Sequence, residues 1–325
     1  MSNLSETSTS QEVDLYRESE CRFRDIHDWE SLTESGLEIA DVHRSSRHFV
    51  GCRNAGVFAF RAVPDAYLLP AALDDWQQVG LAYEALSEFI EPPNKTNLSA
   101  HGEVPAPLWS HGDEFRKLRW ATLGWQYDWG SRSYTAVSAM PDSVSRLSAA
   151  VLRAAGIAEV PMTAAIVNFY HGHRISDRLG GHVDDVDGDS SPLVSVSLGL
   201  PCIFLLGGKS RAEAPLPVLL RTGDILILAG SARLRVHGVP TLIVPRELLP
   251  KQIRKRRKIC SSEQSGSERV PSASCSLPGV SDVCHVPVGF KEPESPQIED
   301  AVRETLLRTR INFSIRNVKV HAEVP

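Results

Sequence analysis

Three side chains in this sequence have the chemistry to hold a metal ion while leaving part of its coordination sphere open. His182-Val183-Asp184 places an imidazole and a carboxylate at i and i+2, and on a strand such positions share a face. A third ligand type, His237, follows 55 residues later beside the Gly-rich end of another apolar run. Two imidazoles and one carboxylate on one face form the facial triad of non-haem Fe(II) chemistry, which leaves room for a keto-acid and for oxygen. A bare His-x-Asp pair is a weak signal. The pair His111-Gly112-Asp113 and the His-x-Glu at His101 lie in a Pro/Gly-rich stretch and read as solvated loops. For His182, Asp184 and His237 the residues alone also leave open ordinary polar positions at strand ends. The acidic run 184–189, DDVDGD, lacks the Gly and Glu that a calcium loop needs at fixed positions.

A second constellation lies near the C-terminus. In RINFSIR, Arg310, Asn312, Ser314 and Arg316 alternate with Ile311, Phe313 and Ile315, so each set lines one face of a strand. If the apolar set meets the core, two guanidinium groups point into the mouth of the fold, where burial demands an anion. A dicarboxylate suits them, because arginine makes bidentate, charge-assisted bonds to carboxylates. An edge strand with solvated arginines remains the alternative on the residues alone.

These groups need a scaffold. From Met162 to Val244 the segments AIVNFY, LVSVSLGL, CIFLLG, VLLRTGDILILAG and TLIVP are short, β-branched and separated by Gly and Pro. They predict consecutive strands in a sandwich or barrel. Upstream, VFAFRAV predicts a strand. Leu73, Trp76, Tyr83, Leu86 and Ile90 recur at helical spacing until Pro92-Pro93. Asp142 is a candidate cap for a second helix through Val144, Leu147, Val151 and Ala155, ended by Gly156. A short helix near 299–308 precedes the final strand. The expected organisation is a polar, disordered segment at 1–55, a substrate-lid extension of the core at 56–160, a catalytic core at 161–244 and 299–320, and a basic, Ser/Pro-rich insertion at 245–298. The fold class is mainly β with flanking helices.

Composition narrows the classes. Hydrophobic residues make up 42% and charged residues 23% of the chain, an ordinary globular balance. The net charge of −5 means that any nucleic-acid surface must be local. Six cysteines without a CxxC pair fit a reducing compartment better than a disulfide framework or a zinc ribbon. The polar, acidic N-terminus resembles neither a signal peptide nor a transit peptide, and no apolar run reaches membrane-spanning length. The expected compartment is the nucleus or the cytoplasm. The block 251–258, with six Lys/Arg in eight residues, reads equally as a nuclear import signal, a phosphate-contacting arm or a solubilising linker.

Together, VNFY (167–170), His182-x-Asp184, PLVSVSLGLPCIFLLGG (192–208), RTGDILILAGSARLRVHGVP (221–240) and RINFSIR (310–316) resemble the AlkB family of Fe(II)/2-oxoglutarate dioxygenases. LRWATLGWQYDW (118–129) is similar to the eukaryotic AlkB homologue 1 branch. The likeness covers residues 56–240 and 299–318. It implies a double-stranded β-helix, or jelly roll, with the iron triad at its open end, and Fe(II), 2-oxoglutarate and O2 as cofactor and co-substrates. By motif position it implies that Asn168 and Tyr170 contact 2-oxoglutarate. Arg310 takes the distal carboxylate, Arg316 lies near the keto-carboxylate end, and Asn312 supports them.

The family removes methyl groups from nucleobases, releasing formaldehyde, succinate and CO2. A base must leave its stack to reach a buried metal. The resemblance offers Trp125 as an aromatic lid, Tyr127 and Tyr134 as base or phosphate contacts, and Arg211 as a substrate-side cation. It departs from the family at Val186, where some repair enzymes carry an acid two positions beyond the iron aspartate. The expected substrate is an N-methylated nucleobase in RNA, tRNA first, or in DNA, with no membrane and no stable protein partner implied. Two other classes remain: a protein hydroxylase or demethylase using the same centre, and a non-catalytic nucleic-acid-binding module.

Overall fold

The structure is a computed structural model, and it describes residues 13–52, 54–99, 102, 104–185, 190–249 and 284–318. The basic block 251–258, Val186, His101 and the first twelve residues lie outside the described residues.

Among the described residues, thirteen strands form two sheets. In chain order they are β1 (Phe49–Gly51), β2 (Phe58–Phe60), β3 (Ala66–Leu69), β4 (Trp120–Asp128), β5 (Ser133–Ala136), β6 (Ala164–His171), β7 (Leu179–His182), β8 (Leu193–Gly199), β9 (Cys202–Leu206), β10 (Leu216–Leu220), β11 (Ile225–Leu228), β12 (His237–Leu242) and β13 (Thr309–Arg316). The major sheet has nine strands in the order β1-β2-β3-β11-β8-β13-β6-β4-β5, and the minor sheet has four in the order β10-β9-β12-β7. Paired strands run antiparallel. This is a mainly β jelly-roll core.

The period-two alternation of the strands builds three apolar layers. On β9, Cys202, Phe204 and Leu206 face the space between the sheets, while Ile203 and Leu205 face the opposite side. On β13, Ile311, Phe313 and Ile315 enter the core under the helices, which turns Arg310, Asn312, Ser314 and Arg316 toward the inter-sheet space. That core is covered by α3 (Asp75–Glu84), continued by a π turn over Ala85–Phe89, by α5 (Asp142–Ala154) and by α6 (Pro296–Arg308). Pro141, rather than Asp142, holds the cap position of α5, and Asp142 lies in its first turn. A four-residue helix, α4, spans Gly112–Phe115.

The N-terminal segment differs from the expectation of disorder. Residues 13–52 carry α1 (Leu15–Phe23), α2 (Trp29–Glu34) and β1. Tyr16, Phe23, Ile26 and Leu32 are buried on the outer face of the minor sheet with Ile203, Leu205 and Leu219, and Ala40 and Phe49 are buried in the cluster between the sheets. Polar composition concealed this, because a few well-placed apolar groups and the Asp41–Arg221 bidentate pair at 2.8 and 2.9 Å attach the segment. Residues 56–160 are likewise part of the sheet: β2, β3, β4 and β5 are all hydrogen-bonded into it. Among the described residues, no helix is long and apolar enough to cross a membrane.

Candidate metal and keto-acid site

The pairing of β7 with β12 places His182 directly opposite His237. Asp184 follows two residues after β7, and the ligand atoms of the three side chains lie within 4.8 Å of one another. His182 Nε2 is 3.6 Å from Asp184 Oδ1, and His237 Nε2 is 3.7 Å from Asp184 Oδ2. Each imidazole is oriented from behind. His182 Nδ1 lies 2.9 Å from the Gly180 carbonyl and His237 Nδ1 3.0 Å from the Arg235 carbonyl. An Nδ1–H donated to a carbonyl fixes the tautomer that leaves Nε2 free to bind a metal. Phe204 stacks on His237 at 5.8 Å.

The electrostatics favour the metal-binding protonation states. Burial pushes the Asp184 carboxyl upward, but Arg316, His237, His182 and Arg233 outweigh it and hold the group well below the usual carboxylate range. Burial is the main cause that lowers His237 to about 4, against the opposing pull of Asp184, so at neutral pH this imidazole carries no proton on its ligand atom. Arg233 is 1% exposed and donates to the carbonyls of Ser191, at 3.0 Å, and Asp184, at 3.3 Å. It thereby links the backbone at the metal carboxylate to that of Ser191. Sequence reasoning missed this residue; its signal is a cation four residues before His237, set between the buried Ala232 and Val236.

A cavity of about 460 Å³ opens on the triad. Asn168, Tyr170, Arg310, Asn312 and Arg316 all line it together with His182, Asp184 and His237. The register of β13 against β6 sets this grouping, pairing Arg310 with Tyr170 and Asn312 with Asn168. Arg310 is 1% exposed. Its Nη2 donates to Ser197 Oγ at 2.9 Å and its Nη1 reaches the Leu200 carbonyl at 3.4 Å, while Nε has no hydrogen-bond partner. No carboxylate of the described residues lies within ion-pair distance of it. A buried guanidinium with a vacant donor fits an incoming carboxylate, and the triad supplies the donor set of a non-haem iron centre. The residues present therefore fit both Fe(II) and 2-oxoglutarate. A larger cavity of about 700 Å³, lined by residues such as Trp109, His173, Glu304 and Arg308, contains none of the ligands; size alone does not select the site.

The four substrate-side residues separate into two groups. Tyr127 and Tyr134 face each other across β4 and β5, with ring centroids 5.0 Å apart, and line the cavity. Trp129 and Arg132 join them there, and Trp129 stacks on Trp120 at 3.9 Å. Trp125 is not among the cavity-lining residues. Gly124 breaks the alternation of β4 upstream of both residues: it has φ +68°, and a Cβ there would sit 2.3 Å from the Thr163 carbonyl oxygen. The irregularity shifts the alternation, so Leu123 enters the helix-side core while Tyr127 meets the cavity. Arg211 is also placed outside the cavity. It bonds Asp14 Oδ2 at 2.8 Å and the Gly181 carbonyl at 3.2 Å, and lies over the Tyr16 ring. Its charge is used within the fold.

Comparison with known proteins agrees with this geometry. The profile of the 2OG-Fe(II) oxygenase superfamily matches residues 65–316. The DNA N(6)-methyladenine demethylase ALKBH1A of Arabidopsis thaliana is 34% identical over 239 residues, covering 59% of this chain and 67% of that protein. The nucleic acid dioxygenase ALKBH1 of Homo sapiens is 30% identical over 237 residues, covering 66% of this chain and 60% of that protein. The tRNA demethylase abh1 of Schizosaccharomyces pombe is 32% identical over 218 residues, covering 58% of this chain and 71% of that protein.

Proposed function

The chain belongs to the 2OG-Fe(II) oxygenase superfamily, in the homologue 1 branch of its AlkB family, and from that premise we propose that this 2-oxoglutarate-dependent dioxygenase demethylates N-methylated nucleobases in RNA, tRNA first, or in DNA. One observation carries the reading. The cavity that holds the metal triad and the two buried arginines has a wall of Tyr127, Trp129 and Tyr134, and flat aromatic faces are what hold an unstacked base. The names of the Arabidopsis and fission yeast relatives place DNA N(6)-methyladenine and tRNA among the substrates of similar proteins.

His182, Asp184 and His237 would hold Fe(II), which, with 2-oxoglutarate and O2, supplies the oxidation of the methyl group. The rest of the work falls to the chain. Arg310 compensates a carboxylate inside the inter-sheet cavity. Asn312 is held by its bonds to Ser195 Oγ at 2.9 Å and the Val196 carbonyl at 3.0 Å, which fixes the polar floor. Arg316 keeps Asp184 ionised. Leu193, Phe204, Leu226, Leu228 and Val239 make the remaining wall apolar, which excludes water and strengthens each charge interaction inside. Hydroxylation of the methyl carbon gives a hemiaminal that releases formaldehyde.

The test is nucleoside mass spectrometry after incubation with Fe(II), 2-oxoglutarate and separate pools of tRNA, mRNA and DNA. Loss of one N-methyl nucleoside with matching succinate supports the reading. Succinate formed only in the presence of peptides, with every methylated nucleoside intact, would replace it with a protein hydroxylase. Binding that survives chelation, with no turnover, would leave a binding module.

A further inference from the structure

The strand that carries His182 is an edge. Among the described residues β7 pairs with β12 alone, so the backbone groups on its outer side require partners from elsewhere. Side chains supply them. Glu20, on α1 and 5% exposed, accepts the Gly181 N–H at Oε1 with a distance of 2.6 Å. Arg211 donates to the Gly181 carbonyl at 3.2 Å. The two side chains are themselves linked, with Arg211 Nη2 3.6 Å from Glu20 Oε2. Arg211 also bonds the N-cap residue of α1, Asp14, and its carbonyl accepts the Tyr16 N–H at 3.0 Å.

The Gly181 N–H and the Gly180 C=O belong to one peptide group. Glu20 holds the first, and the second accepts from His182 Nδ1 at 2.9 Å. A continuous path therefore runs from the Glu20 carboxylate through the 180–181 peptide to the imidazole whose Nε2 faces Asp184. Glycine stands at both 180 and 181, so nothing in the chain's own sterics fixes this peptide. Glycine is also required there: a Cβ at 181 would lie 2.2 Å from the ring of Tyr16, which is fully buried and donates to the Leu205 carbonyl at 3.2 Å. The close approach brings Glu20 into reach, and the lack of side chains leaves the peptide dependent on it. A carboxylate drawing on the N–H end strengthens the C=O end as an acceptor, and a stronger acceptor at Nδ1 makes Nε2 a better ligand.

We propose that Glu20 is a positioning residue for the metal ligand His182, acting through the Gly180–Gly181 peptide, with Arg211 fixing the other side of Gly181. The N-terminal helix is then part of the metal site's support, and Arg211 has a role that its place in the sequence does not suggest. The inference rests on the triad being a metal site.

The experiment uses the full chain, freed of metal and titrated with Co(II), whose ligand-field absorption reports ligand geometry. Glu20→Ala should weaken Co(II) binding about tenfold or more and alter the spectrum. Glu20→Gln, which keeps an acceptor for the Gly181 N–H, should recover most of both. Arg22→Ala, on the same helix and exposed, should match wild type. If Glu20→Ala does not fold, Arg211→Gln takes its place, with a smaller loss of the same sign. Wild-type protein that binds no Co(II) would overturn the metal assignment and this inference with it. Wild-type binding alongside unchanged affinity and spectrum in Glu20→Ala and Arg211→Gln would overturn the positioning role alone.

Discussion

Arg316 Nη1 lies 3.0 Å from Asp184 Oδ2, so the last strand of the major sheet reaches across the cavity to the carboxylate that follows an edge strand of the minor sheet. The contact joins the keto-acid wall to the metal triad. It also sets a condition on stability, since both side chains are almost wholly buried. Removing one partner of a buried pair leaves the other charge uncompensated, at a cost of about 3 kcal/mol. Arg316→Met should lower the urea midpoint of the metal-free protein accordingly, and Co(II) should restore part of the loss by replacing the missing cation. An unchanged midpoint in Arg316→Met would show that the pair carries no such burden.

Arg310 makes a different prediction because, among the described residues, no carboxylate pairs with its guanidinium. Arg310→Ala should raise the 2-oxoglutarate concentration needed for half-maximal succinate formation by roughly two to four orders of magnitude, the equivalent of about 3–5 kcal/mol. Arg310→Lys should recover only part, because an ammonium lacks the planar fork. If Arg310 instead contacted phosphate, nucleic-acid binding and its salt slope would change while the 2-oxoglutarate curve stayed in place.

The aromatic wall separates two tryptophans. Trp129→Ala should reduce methyl loss from nucleic acid by roughly 5- to 150-fold, the value of one base–aromatic stack at about 1–3 kcal/mol, and should spare 2-oxoglutarate decarboxylation without substrate. Trp125→Ala should not show this split. A parallel fall of both activities in Trp129→Ala would make that residue structural.

His171 predicts a pH dependence of folding. Burial is the main cause that lowers its imidazole from 6.5 to about 4, against the Leu118 carbonyl bonded at 2.9 Å. The unfolded chain thus binds a proton that the folded one refuses. The stability is fully present above about pH 6.5 and declines as pH falls toward about 4, by about 3 kcal/mol for this group. His171→Gln, which keeps a donor for Leu118, should flatten the fall in urea midpoint across that window relative to wild type. Equal slopes in the two proteins would remove His171 as the cause.

Much of this was legible in the chain. His182 and Asp184 are two residues apart on extended backbone and His237 begins the strand opposite, so local spacing and strand order predict the triad. The alternation of β13 names the residues that face the cavity, because period two is a property of the strand itself. What escaped depends on contacts far apart in sequence or on where a strand ends. Arg211 carries no local mark that Asp14 and Glu20, nearly two hundred residues earlier, occupy it. Trp125 reads as equivalent to Trp129, but Trp125 lies within β4 while Trp129 lies just beyond it, where it stacks on Trp120 and lines the cavity. The N-terminal helices escaped because their buried apolar side chains are too few to register in composition.

The most direct test measures succinate, formaldehyde and N-methyl nucleosides together, with a methylated tRNA pool, Fe(II) and 2-oxoglutarate, for wild type and Asp184→Ala. The metal triad at the head of the aromatic cavity predicts formaldehyde and methyl loss in equal amounts in wild type, succinate at least matching them, and none of the three changes in Asp184→Ala. Succinate without formaldehyde, and without loss of any methylated nucleoside from tRNA, mRNA or DNA, would contradict the demethylase reading. Turnover retained in Asp184→Ala would contradict the metal site itself.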